Sequence, residues 1–336
     1  VKISRTFAFG LVLCCYAPAR AAQVMDLVPR SPAWVMLPTD AVVAGYDTLW
    51  AISDLHGHLA ELQELLVAAK LAVPSGRGTR VVWNPVQRRQ LLIAVGDYLD
   101  GGADSVGVVL LLQELQAQAA SIGSRVVVLL GNHEAAFLSD PEARATKELR
   151  SSARRSGVGT PRQLYDGQFG AYLRELPVAA FVGSWLFAHA GNIRAKPAEE
   201  PLRRYFLELA AVLATRDRRA YLQLLESRSL ISGHRWWADE RRLAQMKRRL
   251  DVLGLNGLII GHDPDALGAR GTIAMNRGGW LIKLDTGMKS SRSRGKLLRC
   301  AVSDIVHAGG FSMARDSRPG CQAVASDGSI EELRVN

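Results

Sequence analysis

Short apolar runs recur along this chain, and each breaks into a polar loop that carries glycine. Residues 48–52 lead into Ser53-Asp54-Leu55-His56-Gly57, and residues 91–95 into Gly96-Asp97-Tyr98-Leu99-Asp100-Gly101. Residues 125–130 end in Gly131-Asn132-His133-Glu134, 185–188 in His189-Ala190-Gly191, and 257–260 in Gly261-His262-Asp263. Runs this short, bounded by turn formers, predict buried strands. Between them the period changes. Leu59, Leu62, Leu65, Leu66 and Ala69 share one helical face, as do Val108, Leu111, Leu112, Leu115 and Ala119. Residues 91–130 therefore read strand, helix, strand. A helical crossover makes the two strands parallel and brings both loops to one sheet edge, where α/β folds place ligands.

Further along, residues 140–155 and 162–176 predict helices separated by Gly157, Gly159 and Pro161. One or two helices follow over 197–225, then a basic helix over 241–253. Residues 272–275 and 280–284 predict a β pair around Asn276-Arg277-Gly278-Gly279. The expected organisation is a lead-in at 22–46, one domain at 47–302 with a helical insert near 197–253, and an irregular tail at 303–336. The fold class is α/β.

Composition sharpens this picture in three places. The 336 residues are 48% hydrophobic, enough to bury a core. The net charge is +10, which suits anionic partners or an arginine-rich solvated surface. The basic stretches are not interleaved with aromatics, so no specific nucleic-acid binding is expected. Lys2 and Arg5, the apolar run 7–16 and Ala19-Arg20-Ala21 read as a signal peptide over 1–21. The expectation is an exported protein, periplasmic or extracellular, with no membrane span once the signal is removed. Cys300 and Cys321 remain after that cleavage, either paired in an oxidising compartment or as two buried thiols.

The chemistry lies at the strand ends. Asp54, His56, Asp97, Asn132, His189 and His262 are carboxylate, imidazole and amide donors, a set that suits Mn, Fe or Zn. No thiolate joins them, which argues against a structural cysteine-type zinc site. Any one motif alone is weak; their order, each at a strand's end, is specific. Glu134 stands in the first turn of the helix that follows, a capping position.

Taken together, these motifs resemble the calcineurin-like metallophosphoesterases, in particular the phosphoprotein phosphatase branch with its bacterial and Shewanella-like members. Residues 280–287, ending in Asp285-Thr286-Gly287, are also similar to that branch. The resemblance implies a β-sandwich flanked by helices with two divalent metal ions at the strand ends. Asp54 and His56 would hold the first, Asp97 would bridge, and Asn132, His189 and His262 would hold the second. His133 would be the general acid and Asp100 would orient it or position water. The implied activity is hydrolysis of phosphate monoesters, small or on proteins. Hydrolysis of a nucleotide or dinucleoside polyphosphate, and a non-catalytic metal- or anion-binding module, are the alternatives. One position departs: where the branch carries an arginine that binds phosphate, this chain has Gly101. Arg235, Arg228 or Arg241 would replace it. The native metal pair and the oligomeric state stay open.

Overall fold

In a computed structural model, residues 27–76, 80–226, 229–233, 235–268, 270–290, 293–306 and 320–336 are described. The predicted signal peptide and Arg228 lie outside them. Two sheets dominate. The first has seven strands in the order β1 (Trp34–Leu37), β7 (Ala179–Val182), β8 (Trp185–Ala188), β9 (Gly257–Ile260), β11 (Leu281–Lys283), β10 (Ala274–Met275) and β15 (Arg334–Val335). The second has six: β14 (Ile330–Glu332), β13 (Gln322–Ala325), β12 (Lys296–Ala301), β2 (Thr48–Ile52), β5 (Gln90–Ala94) and β6 (Arg125–Val128). A small antiparallel pair, β3 (Ala72–Pro74) and β4 (Val81–Trp83), stands apart.

Why the apolar runs are continuous rather than alternating follows from this layering. Leu49, Ala51, Leu91, Ile93 and Val127 face Val182, Phe187, Ile259 and Ile282 of the other sheet. Their neighbours Trp50, Ile52, Leu92, Ala94 and Val126 point the other way, into a cluster shared with Leu62, Leu66, Leu112 and Leu115 of the helices. Strand residues alternate between faces, and here both faces are covered, so nearly every position is apolar. A fully buried leucine or isoleucine contributes roughly 1.5–3 kcal/mol, and dozens are present.

The expected strand–helix–strand unit is there: β5 and β6 pair in parallel, joined by the helix Ser105–Ala120. β2 lies parallel to β5 on the other side, and β8 is parallel to β9 in the facing sheet. All five strands therefore deliver their C-terminal ends to one rim of the sandwich. The β pair around 276–279 is also present, as β10 against β11.

Both chain ends differ from the sequence reading. The lead-in supplies β1, which pairs with β7, and the helix Thr39–Gly45. The segment past 303, read as irregular, supplies β13, β14 and β15, which add to both sheets. These strands are only two to four residues long, and β14, at the sheet edge, is wholly exposed, so they carry no long apolar run to reveal them. Cys300 on β12 is joined by a disulfide to Cys321, next to β13.

Candidate active site

The five strand-end loops meet at the rim. Several of their key residues adopt left-handed backbone: Asp54 (φ 56°), His56 (φ 41°), Asp97 (φ 60°), Asp100 (φ 64°) and His262 (φ 73°). Non-glycine residues held there are strained, and such strain gathers at functional sites. Glycine gives close approach between loops. A Cβ on Gly131 would strike the Asp97 backbone, and one on Gly261 would strike Ser53 and Asp54.

Asp97 is the centre. Its Oδ1 lies 3.2 Å from His189 Nε2, and its Oδ2 lies 3.7 Å from His56 Nε2 and 3.8 Å from His133 Nε2. The His133 backbone N–H donates to Asp97 at 3.0 Å. Asn132 Oδ1 sits 2.9 Å from His189 Nε2 and 2.8 Å from His262 Nδ1. Asp54 accepts the His262 backbone N–H, and His56 Nε2 is 3.9 Å from its Oδ1. All six sequence-predicted ligands thus stand around one point. Donor atoms of His56, Asp97 and His133, and of Asp97, His189 and His262, form two clusters that share Asp97.

The far ring nitrogens of two ligands are fixed by backbone carbonyls: His56 Nδ1 by Leu99 and His189 Nδ1 by Val95, both at 2.9 Å. This sets the tautomer and aims Nε2 into the cluster. His262 differs, with Nε2 against the Gly233 carbonyl at 3.0 Å and Nδ1 facing the cluster. Burial lowers the pKa of His56 and His262 to about 4, so both are neutral donors at pH 7. Burial also opposes charge on His189, but the carboxylates of Asp97 and Asp54 overcome it and push the pKa up to about 10. Asp97 is held well below the usual carboxylate range: burial opposes ionisation, and the charges of His189 and His133 prevail. The cluster is built to hold positive charge, and its nitrogen and oxygen donors fit a pair of borderline divalent ions.

His133 stands apart from the ligands in its bonding. Its Nδ1 is 2.6 Å from Asp100 Oδ2, and its Nε2 is 2.8 Å from Lys289 Nζ. Both ring nitrogens are engaged, which leaves neither for a metal. Thr146 Oγ1 donates to the other Asp100 oxygen at 2.5 Å, and the Asp100 N–H donates to Ser105 Oγ. The pair is fixed from several sides.

Two features were not anticipated. Glu134, read as a helix cap, does bind the Gly131 N–H, but it also accepts the N–H groups of Asp97, Tyr98 and Leu99 at 2.8–3.0 Å. One fully buried carboxylate therefore shapes the whole Asp97 loop; burial, with Asp97 nearby, pushes its pKa up to about 7. Lys289 lines the cleft together with His56, Asn132, His133, His262 and Arg270, around a volume of about 490 Å³. The only hint was its place just past Asp285-Thr286-Gly287, in a loop after a buried strand. The candidate Arg235 is 70% exposed at its side chain, 3.7 Å from Asp263, and does not line that cleft; nor does Arg241. A Cβ on Gly101 would lie 3.3 Å from Lys289 Cγ, so Lys289 occupies the space beside the missing arginine.

Residues 48–266 match the calcineurin-like phosphoesterases, and the chain belongs to that family of metal-dependent phosphoric ester hydrolases. Over 88 residues it is 32% identical to Shewanella-like protein phosphatase 2 of Arabidopsis thaliana, a match covering 26% of this chain and 21% of that protein. It is 25% identical to an uncharacterised protein of Schizosaccharomyces pombe, over 72% of this chain and 74% of that one. Its fold matches a cold-active protein-tyrosine phosphatase of a psychrophilic Shewanella species with TM-score 0.67 and 20% identity, covering 90% of this chain and 82% of that one. A protein serine/threonine phosphatase from Saccharomyces cerevisiae superposes with TM-score 0.56 and 15% identity, covering 94% and 90%.

Proposed function

We propose that this protein is an exported phosphomonoesterase that acts on phosphate esters, including those on proteins. The observation that carries the reading is the convergence, in one cleft, of a buried nitrogen–oxygen donor cluster, the Asp100–His133 pair and the Lys289 ammonium. The Arabidopsis relative and the two structural neighbours, all phosphatases, support the monoester class. The Cys300–Cys321 disulfide supports export, since such bonds persist in oxidising compartments.

Asp54, His56 and Asp97 on one side, and Asp97, Asn132, His189 and His262 on the other, would hold two divalent ions, which neutralise a phosphate ester and lower the pKa of water. The chain's own groups do the rest. Lys289 pairs with a phosphoryl oxygen, and this draws its ammonium away from His133 Nε2. That nitrogen then takes up a proton from solvent and passes it to the leaving oxygen as the ester P–O bond breaks. Asp100 holds the ring so that Nε2 faces the cleft and stabilises its charged form. Water supplies the oxygen that replaces the leaving group.

The test is hydrolysis of p-nitrophenyl phosphate by residues 23–336, with Mn and with a chelator, alongside His133→Asn and Asp97→Asn. Metal-dependent turnover lost in both variants is the expected result. A folded, metal-loaded wild type without turnover would leave the polyphosphate-hydrolase and binding-module readings, which bis-nucleoside polyphosphates then separate.

A further inference from the structure

The stretch between the helices Arg218–Glu226 and Glu240–Val252 lines no part of the cleft, yet it bonds the loops of two metal ligands. The N–H groups of Ala190 and Gly191, which follow His189, donate to the Leu230 carbonyl at 2.7 and 2.9 Å. Trp236 Nε1 donates to the Ala190 carbonyl at 2.9 Å. The Gly233 carbonyl lies 3.0 Å from His262 Nε2. A carbonyl can only accept, so that nitrogen carries the hydrogen, and the lone pair of Nδ1 is left facing Asn132 and His189. Leu230 and Trp236 are buried, and the Trp236 ring packs edge-on against Trp237 with centroids 5.6 Å apart. Arg235 precedes Trp236 in left-handed backbone (φ 30°), a conformation that persists only where surrounding contacts hold it.

The two metal positions are therefore braced by different parts of the chain. Leu99 holds His56 Nδ1, Val95 holds His189 Nδ1, and Gly96 accepts the Asp54 N–H, all through carbonyls that follow β5. Of the three ligand histidines, only His262 has its far nitrogen held by the helical insert. A carbonyl that fixes the far nitrogen sets the tautomer and ring angle of the ligand, and such partners are worth about 10–100-fold in metal affinity. Trp236 keeps the same stretch of chain against the His189 loop.

We infer that Trp236 is a positioning residue for the second metal ion, and that the insert, through Trp236 and the Gly233 carbonyl, sets the affinity of that ion without touching it. This rests on the two-metal phosphoesterase reading and adds an asymmetry to it: the ion held by His189 and His262 depends on the insert, and the ion held by Asp54 and His56 does not.

The experiment is a calorimetric Mn titration of chelated wild type, Trp236→Phe, Trp237→Phe and His262→Ala. Trp236→Phe keeps an aromatic ring against Trp237 and removes the N–H. Trp237→Phe makes the same change at an indole that bonds neither ligand loop. Cooperative urea unfolding in chelator checks that each variant is folded. The binding step that His262→Ala abolishes identifies the second ion. Trp236→Phe should weaken that step about ten-fold and leave the other unchanged. Trp237→Phe should leave both unchanged. A second measurement needs no substitution in the insert. In zinc-loaded wild type, imidazole nitrogen NMR should show His262 protonated on Nε2 and His56 and His189 protonated on Nδ1, with His262→Ala assigning the signal. Three results would overturn the inference: Trp236→Phe binding both ions as wild type does, Trp236→Phe loosening both steps equally, or His262 bound to zinc through Nε2. Uptake of a single ion by wild type would overturn the two-metal reading along with it.

Discussion

His133 and Asp100 share a 2.6 Å contact, and the other Asp100 oxygen is taken by Thr146. Burial pulls the His133 pKa down, but the charge of Asp97 and the bond to Asp100 outweigh it, and the net shift is upward. A general acid must start protonated, so its alkaline limb follows its pKa. Asp100→Asn removes one of the two groups that raise that pKa. The alkaline limb of kcat should therefore move to lower pH, with kcat about 10²-fold lower at pH 8. A pH–rate profile of both proteins checks it; an unmoved limb would mean that another group donates the proton.

Lys289 makes the second prediction. It is exposed at the cleft and bonds the neutral nitrogen of His133, not a carboxylate. Arg270, the other cation of the cleft, is committed to Asp265 through two bonds of 2.7 and 2.6 Å. Removing Lys289 therefore removes the cation available to the phosphoryl group. Lys289→Ala should raise KM for p-nitrophenyl phosphate about ten-fold, on the scale of one lost charge-assisted bond. Gly101→Arg alone should not improve on wild type. At φ 115° its side chain starts in strained backbone and points at Lys289 Cγ and His56 Cβ. Steady-state kinetics of the two variants decide both points.

The contrast between Lys289 and the ligands shows what a sequence reveals. Asp54, Asp97, Asn132, His189 and His262 follow buried strands of four or five residues, and the apolar run announces the polar residue that ends it. The β2-β5-β6 half of the fold was readable for the same reason. Lys289 follows a three-residue strand and a turn, with no period around it. Strands β13 to β15 were hidden because they span only two to four residues and are placed by pairing, not by a long apolar run. Glu134 was read in its local role alone, since its bonds to residues 97–99 exist only after β5 and β6 pair.

That makes Glu134 a stability prediction. Glu134→Ala would strand four backbone N–H groups in a site with no access to water. Each unsatisfied donor costs about 1–3 kcal/mol, and relaxation recovers part of this, so a loss of roughly 3–5 kcal/mol is expected. The loop that carries Asp97 would also loosen, so metal affinity should fall with stability. Urea unfolding and a metal titration on the same variant report both; loss of stability with unchanged metal affinity would confine Glu134 to the helix cap.

The Cys300–Cys321 bond closes a separation of 21 residues and ties β12 to the segment that leads into β13. Constraining a loop of this size stabilises by about 3 kcal/mol. Cys300→Ala/Cys321→Ala should lower the urea midpoint by a corresponding amount. The catalytic constants should hold, because β12 lies between β13 and β2 and supplies no ligand. Unfolding with and without a reductant gives the same comparison in the wild type.

His189 links metal, pH and stability. Without metal its pKa is raised from 6.5 to about 10 by Asp97 and Asp54 against the opposing effect of burial. A raised histidine pKa gives stability that is fully present below pH 6.5 and is lost as pH rises through about 10. A metal on Nε2 must displace that proton, so its affinity strengthens over the same window. Chelated protein should lose stability between pH 6.5 and 10, whereas metal-loaded protein should be less sensitive or gain. At a hundred-fold excess over Kd the metal adds about 2.7 kcal/mol. Thermal unfolding of both forms across that window, with metal-to-protein ratios, tests the idea. His262→Ala should lower the ratio by one ion, and Asp97→Asn, which alters the residue shared by both clusters, should lower it further. Parallel stability curves for the two forms would show that His189 is not the proton the metal replaces.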